Sequence, residues 1–255
     1  MEESAAIRVY DSQSQAYHDA FAVFLAHTDQ KVNARAWLDA FLEREPSSAV
    51  FVDAGAGTGQ TTSWLGGRFG RVVALEPNPS LCQDLRQTCP AAEVLPVKIL
   101  DARLPATADF VLCSHVLYYL PRDEWQPSLG HMSSWLKATG ALVVVLQNHQ
   151  TDCMGMLDHF LGLRFNGLGA IAQRLEQDHG QRYRTELHVT PAHVTAPDLP
   201  TAYVIAEFML NLLPIPNPPT RHALEEYIRS RFSDGNGGFR FSCHQDFLVV
   251  RPRGK

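Results

Sequence analysis

The chain lacks a run of basic residues, a long apolar stretch and a paired-cysteine motif, and each absence removes a class of function. Its 22 Lys and Arg stand against 27 Asp and Glu, a formal net charge of −5. With no basic cluster in that balance, a general nucleic-acid or anionic-membrane binder is not expected. No apolar run approaches the roughly 20 residues of a membrane span. The first residues, MEESAAIRVY, have neither the basic nor the apolar region of a secretory leader. The five cysteines, Cys82, Cys89, Cys113, Cys153 and Cys243, are odd in number and form no CxxC pair. Reduced thiols and a cytoplasmic home are the expectation. Nor are the histidines His149, His159, His188 and His193 spaced as metal ligands, so no metal site is expected.

What is present is enough apolar residue, 45% of 255, to build a large core. From Ser14 to about Leu42 the pattern is helical: Tyr17, Phe21, Phe24 and Leu25 fall on one face, and Trp37, Phe41 and Leu42 form a second stripe beyond the polar break at His27–Gln30. The period then changes. Short apolar runs at Ala49–Asp53, Arg71–Glu76, Val94–Leu100, Asp109–Ser114 and Ala141–Gln147 predict strands, with a helix near Trp125–Lys137. Apolar strands alternating with helices predict a parallel sheet covered on both faces. Beyond Asn148 the pattern gives helices near Asp152–Leu163, Leu168–Gln177, Leu199–Leu213 and Arg221–Phe232, a Pro-rich linker at Leu213–Thr220, and a closing strand over Phe239–Val250.

The sharpest signal is Asp53-Ala54-Gly55-Ala56-Gly57-Thr58-Gly59 between a strand and a helix. Glycines permit a tight turn and close backbone approach to a ligand, and the helix start offers unpaired N–H groups. A dinucleotide fingerprint places its third glycine where this chain has Gln60. The acid at Asp53 suits a ligand carrying an ammonium group better than a pyrophosphate. Asp53-x-Gly55-x-Gly57-x-Gly59 resembles motif I of the class I S-adenosylmethionine-dependent methyltransferases, with Glu76 matching the acid that binds the ribose hydroxyls and Asp101 the polar position near the adenine. The resemblance spans roughly Ala49 to Asn148. It implies a Rossmann-like α/β fold with a seven-stranded, mostly parallel sheet whose last strand is antiparallel, and S-adenosyl-L-methionine as cofactor. Asp53, Gly55, Ala56, Gly57, Gly59, Glu76, Pro77, Asp101, Ala102 and Ser114 would hold it. Read alone, Glu76 is also a capping acid and Asp101 a turn residue.

Both ends of the chain carry a second resemblance. The stretch from Tyr17 to His27, the segment Val116–Leu120 and the tail Phe241–Val250 are similar to the histamine N-methyltransferase family. That resemblance implies a small-molecule acceptor, nitrogen being favoured, in a pocket walled by Tyr17, Phe21, Tyr118 and Tyr119. Its polar substrate positions fall on Gln30, His115 and Cys243, where this chain departs from the family's residues. His115 and Tyr119 are the candidate catalytic groups, His115 because it ends the fourth strand, where open α/β sheets place ligands. At i, i+4, Tyr17 and Phe21 also read as core packing. The expected organisation is a helical cap over 1–48, then a methyltransferase domain over 49–255 with a substrate-binding elaboration at 149–238. O- or C-methylation, or a donor-binding module without catalysis, stay open as alternatives.

Overall fold

The computed structural model describes residues 5–254, apart from 12–13, 47–48, 106, 163–166 and 214. The chain divides into two units. The first comprises residues 1–40, 147–166 and 189–245, the second 41–146, 167–188 and 246–255.

The second unit holds the sheet. Its strands are β1 (Val50–Ala54), β2 (Arg71–Leu75), β3 (Glu93–Leu95), β4 (Ala108–Ser114), β5 (Leu136–Gln147), β6 (Tyr183–Thr190) and β9 (Gln245–Pro252), in the order β3-β2-β1-β4-β5-β9-β6. Strands β1 to β5 pair in parallel. Asn148, just past β5, donates its N–H to the carbonyl of His244, just before β9, and Arg253 after β9 donates to Arg182 before β6. Strand β9 therefore runs against both neighbours, the antiparallel strand expected of the family.

Alternate strand residues enter opposite cores. Val52, Val111, Leu142 and Leu248 join Leu129, Met132 and Trp135 of the α5 region and Leu168 and Leu175 of α7 (α5 Trp125–Ser134; α7 Gly167–His179). Phe51 and Phe110 point the other way and stack on each other at 5.5 Å and on Phe69, with Phe41 against Phe110. Burial of both faces explains why these strands read as continuous apolar runs. Helices α3 (Gln60–Gly66) and α4 (Pro79–Thr88) connect the first three strands. The start of α4 is set by Asn78, whose side chain accepts the Ser80 N–H, and by Pro79, whose missing N–H costs nothing at a first helical position.

The first unit contains α1 (Gln15–Ala26), most of α2 (Gln30–Leu42), α6 (Asp152–Leu161), α8 (Leu199–Leu210), α9 (Arg221–Phe232) and a two-stranded antiparallel ribbon of β7 (His193–Ala196) and β8 (Phe239–Ser242). Its core gathers Phe24, Met156, Phe208, Ile228, Phe232 and Phe241. The N-terminal segment is pinned to α8 by the buried Glu207 carboxylate, which accepts from Arg8 N, the Tyr10 hydroxyl and the Tyr203 hydroxyl at 2.6–2.9 Å. No described helix is long and apolar enough to cross a membrane.

Several sequence expectations shift. The strand expected over Val94–Leu100 stops at Leu95 because Pro96 has no N–H to extend the ladder, and Ile99–Asp101 is a single 3₁₀ turn. The helix expected to reach Lys137 ends at Ser134, since Leu136 already pairs with Ala108 in the sheet. The closing strand is two strands in different sheets, broken where Cys243 N–H turns to Ala192 and the His244 carbonyl to Asn148. Strands β6 and β7 were not expected, although in β6 Tyr183, Thr185, Leu187 and Val189 alternate with Arg184, Glu186 and His188. Of the helix expected to Leu163, the part to Leu161 is present and Gly162 caps it at φ 63°; Leu163, like Pro214 of the Pro-rich linker, lies outside the described residues.

Phe110, 1% exposed at the centre of the aromatic stack, should be the most sensitive core position of the sheet. Phe110→Ala is expected to cost about 3–5 kcal/mol in urea unfolding, through lost burial and the cavity left behind.

Candidate functional site

Thirteen of the predicted site residues, from Asp53 to Tyr119, lie in the second unit, at the carboxyl ends of β1 and β4 and on the segments that follow β1, β2, β3 and β4. Parallel strands deliver their carboxyl ends to one edge of the sheet, which is how residues 66 positions apart in sequence come to lie along the same edge.

The turn after β1 holds Gly55, Gly57 and Gly59 at φ of 91°, 56° and 86°. At Gly55 two constraints coincide. Its backbone is left-handed, and a Cβ would lie 2.4 Å from a methyl of Val116, the residue after His115. At Gly57 a Cβ would meet nothing within 4 Å, so its exposed peptide face is open to a ligand. The turn is tied to the next strand by backbone bonds from Gly55 and Ala56 to the Leu75 carbonyl, both 2.9 Å.

Glu76 stiffens this arrangement. One carboxylate oxygen accepts Gly57 N–H at 3.0 Å and the other accepts Asn78 N–H at 2.9 Å, with the residue 7% exposed. Each oxygen keeps a further lone pair for a hydroxyl donor. Neighbouring Pro77 is exposed. Asp53, 3% exposed, accepts a 2.6 Å bond from the Thr62 hydroxyl. Burial raises its carboxyl to about 6; the Thr62 bond opposes this and the Glu76 charge adds to it. Two buried carboxylates on adjoining turns, one of them costly to ionise, form a donor set that fits a ligand bringing both a positive charge and hydroxyls. S-adenosylmethionine fits that description. Asp101 is exposed at the end of its 3₁₀ turn, while Ala102 is buried, its carbonyl 2.8 Å from the His131 imidazole.

Strand β4 ends at Ser114, and His115 follows with φ 58°, the one non-glycine residue at positive φ among those described. That conformation is sparsely populated for a side chain with a Cβ, and such strain clusters at functional sites. It is held by the His115 N–H to Val145 carbonyl bond at 2.9 Å and by Val116 seated against Gly55. The imidazole stacks on Tyr118, centroids 6.0 Å apart and planes at 24°. Tyr119 is 72% exposed.

The other four predicted residues lie in the first unit. Tyr17 and Phe21 pack on Phe208 at 5.3 and 5.4 Å, so packing is at least part of their work. Gln30 is buried and donates to the Gln147 side chain and the Cys243 carbonyl, both 2.9 Å. Cys243 is fully buried, its thiol 3.4 Å from the Thr28 hydroxyl. Sequence reasoning missed Thr62, Val116 and Gln147. Val116 acts through a contact between two distant loops and Thr62 from helix α3 on Asp53 of β1, and no local pattern marks either.

The raised Asp53 carboxyl has a measurable consequence. An aspartate whose folded-state value exceeds its unfolded one contributes stability that is complete below about pH 4 and lost as pH rises through about 6. Asp53→Asn should therefore stabilise the ligand-free protein by roughly 2–3 kcal/mol at pH 7 in urea unfolding, with the gain gone at pH 4.

Residues 52–144 match the methyltransferase domain family. An uncharacterized methyltransferase of Alkaliphilus oremlandii is 22% identical over 101 residues, 40% of this chain and 47% of that protein, so the chain spans about half the length of this curated relative. Among solved structures, the YcgJ protein of Bacillus subtilis superposes with a TM-score of 0.59 at 12% identity, covering 85% of this chain and 97% of its own. Geranyl diphosphate methyltransferase, solved with GPP and sinefungin, superposes with a TM-score of 0.52 at 14% identity, covering 86% and 78%. The segment 52–144, which supplies strands β1 to β5 of the seven-stranded sheet, is thus similar to the methyltransferase domain family, and the solved structures share its fold.

Proposed function

We propose that this protein transfers a methyl group from S-adenosyl-L-methionine to a small-molecule acceptor, with nitrogen of an amine or imidazole-like metabolite favoured. The observation that carries the reading is the pair of buried carboxylates, Asp53 and Glu76, bracketing a glycine turn whose Gly57 face is open. When bound, the donor supplies an electrophilic methyl on a sulfonium. Glu76 would accept from its ribose hydroxyls, Asp53 would answer its positive charge, and Asp101 and Ser114 would flank the adenine and the reacting end.

The chain's own contribution is then positioning and proton handling. An acceptor amine attacks only as its neutral form, so a group near the reacting end must take or exclude its proton. His115 is the residue for this, aimed from the end of β4 by a strained backbone and steadied by Tyr118. Tyr118 and the exposed Tyr119 offer ring faces that would exclude water and suit a planar or cationic acceptor. The preference for nitrogen rests on the similarity of the chain's two ends to the histamine N-methyltransferase family, and a cytoplasmic setting on its reduced-thiol composition.

Calorimetry with S-adenosylmethionine, S-adenosylhomocysteine and NAD should give binding of the first two and silence with the third. The reverse would sink the methyltransferase reading. Donor affinity should also fall as pH drops below about 6 and Asp53 takes up a proton.

For His115 the informative variant is His115→Gly, since glycine adopts φ 58° without strain. It should unfold at a midpoint close to the parent's and keep donor affinity, while methyl transfer to an amine panel, followed by mass spectrometry, falls by roughly 10²–10⁴-fold. Full activity in this variant would remove His115 from catalysis.

A further inference from the structure

At the end of the sheet away from the glycine turn, four arginines share one face of β9 and β6. Arg253 donates its N–H to the Arg182 carbonyl at 2.7 Å. Carrying that antiparallel register inward places Arg251 opposite Arg184, and the two-residue alternation of strands puts all four side chains on the same face. Like charges directly opposite in a sheet destabilise the pairing. Here the arrangement occurs twice, in a chain whose net charge is −5.

Three of the four, Arg184, Arg251 and Arg253, line a cavity of about 560 Å³ together with Ala138, Thr139 and Gly140 near the start of β5. Their charge is only partly answered. Arg251 is locked by the Glu45 carboxylate at 2.9 and 2.5 Å, lies over the Phe41 ring at 5.3 Å, and feels Glu186. Arg253 is anchored through Nε to the Tyr183 carbonyl at 3.2 Å, which orients its remaining N–H groups. Among the described residues neither Arg253, Arg182 nor Arg184 has a carboxylate partner within ion-pair distance. The cavity lies roughly 20 Å along β5 from Val145, the partner of Ser114, so it is separate from the donor site.

We propose that this cavity binds a compact dianion, the phosphoryl or dicarboxylate group of a small metabolite. The forks of Arg184 and Arg253 would hold the anionic oxygens, and the immobilised Arg251 would form one wall. Planar guanidinium forks match the oxygen geometry of both groups, and the volume admits more than the anion alone.

The test is thermal unfolding of the full chain in inorganic phosphate, pyrophosphate or succinate, each against sodium chloride of equal ionic strength. The expected result is a saturable rise in Tm with at least one of the three, the responding probe telling phosphoryl from dicarboxylate chemistry. Arg184→Ala/Arg253→Ala should weaken that response at least about tenfold. In chloride this variant should unfold no earlier than the parent, because it relieves repulsion between exposed groups; a purely structural role would lower its Tm. The proposal is overturned if no anion outperforms chloride, or if the double variant responds as the parent does. A rise with a DNA duplex but with none of the small anions would overturn it too, in favour of a polyanion surface.

Discussion

Val116 approaches Gly55 so closely that residue 55 has no room for a Cβ, and the candidate donor site is organised by that contact. It fixes the turn after β1 against the segment after β4, two loops that rise from neighbouring strands. From the first loop follow the open face of Gly57 and its bond to Glu76. From the second follows the left-handed backbone of His115, which a free loop would relax. A packing contact between two apolar atoms and a missing methyl thus sets the distance between the proposed donor cradle and the proposed acceptor side.

The electrostatics of the site work against the stability of the ligand-free protein. Asp53 is buried where ionisation is costly, relieved only by the Thr62 hydroxyl and burdened by Glu76 nearby. Such a group persists when function repays it, since a neutral amide of the same shape would be easier to bury. The Glu207 clamp of the first unit offers a contrast. There a buried carboxylate meets three donors from the chain itself, and its role is to hold the N-terminal segment.

The sheet and the glycine turn were legible because both are written locally: strands buried on two faces must be apolar throughout, and a left-handed turn must use glycine. The roles expected of Glu76 and Asp53 came from the resemblance to the methyltransferase motif; by local sequence alone each is only an acid at the end of an apolar run. The end of β3 was misjudged because apolar residues run on past Pro96, although the ladder cannot. Strand β6 escaped notice although Tyr183, Thr185, Leu187 and Val189 alternate with charged residues and His188. At the sheet edge that face is only partly covered, Leu187 and Val189 are exposed, and the run lacks the continuous apolar stretch that marked the inner strands. Val116 and Thr62 were invisible for a different reason. Their importance lies in what the fold sets beside them, and a valine after a strand or a threonine in a helix carries no mark of its neighbour.

Strand order also has a consequence in time. β9 occupies the slot between β5 and β6 yet follows both in sequence, at Gln245–Pro252. Until a growing polypeptide has delivered those residues beyond the ribosome, β5 and β6 each present an unfilled row of hydrogen-bonding groups, and Leu248 and Val250 are missing from the core they complete. The sheet is a structure that residues 245–252 close, and loss of this strand would leave a gap in its interior rather than a frayed edge.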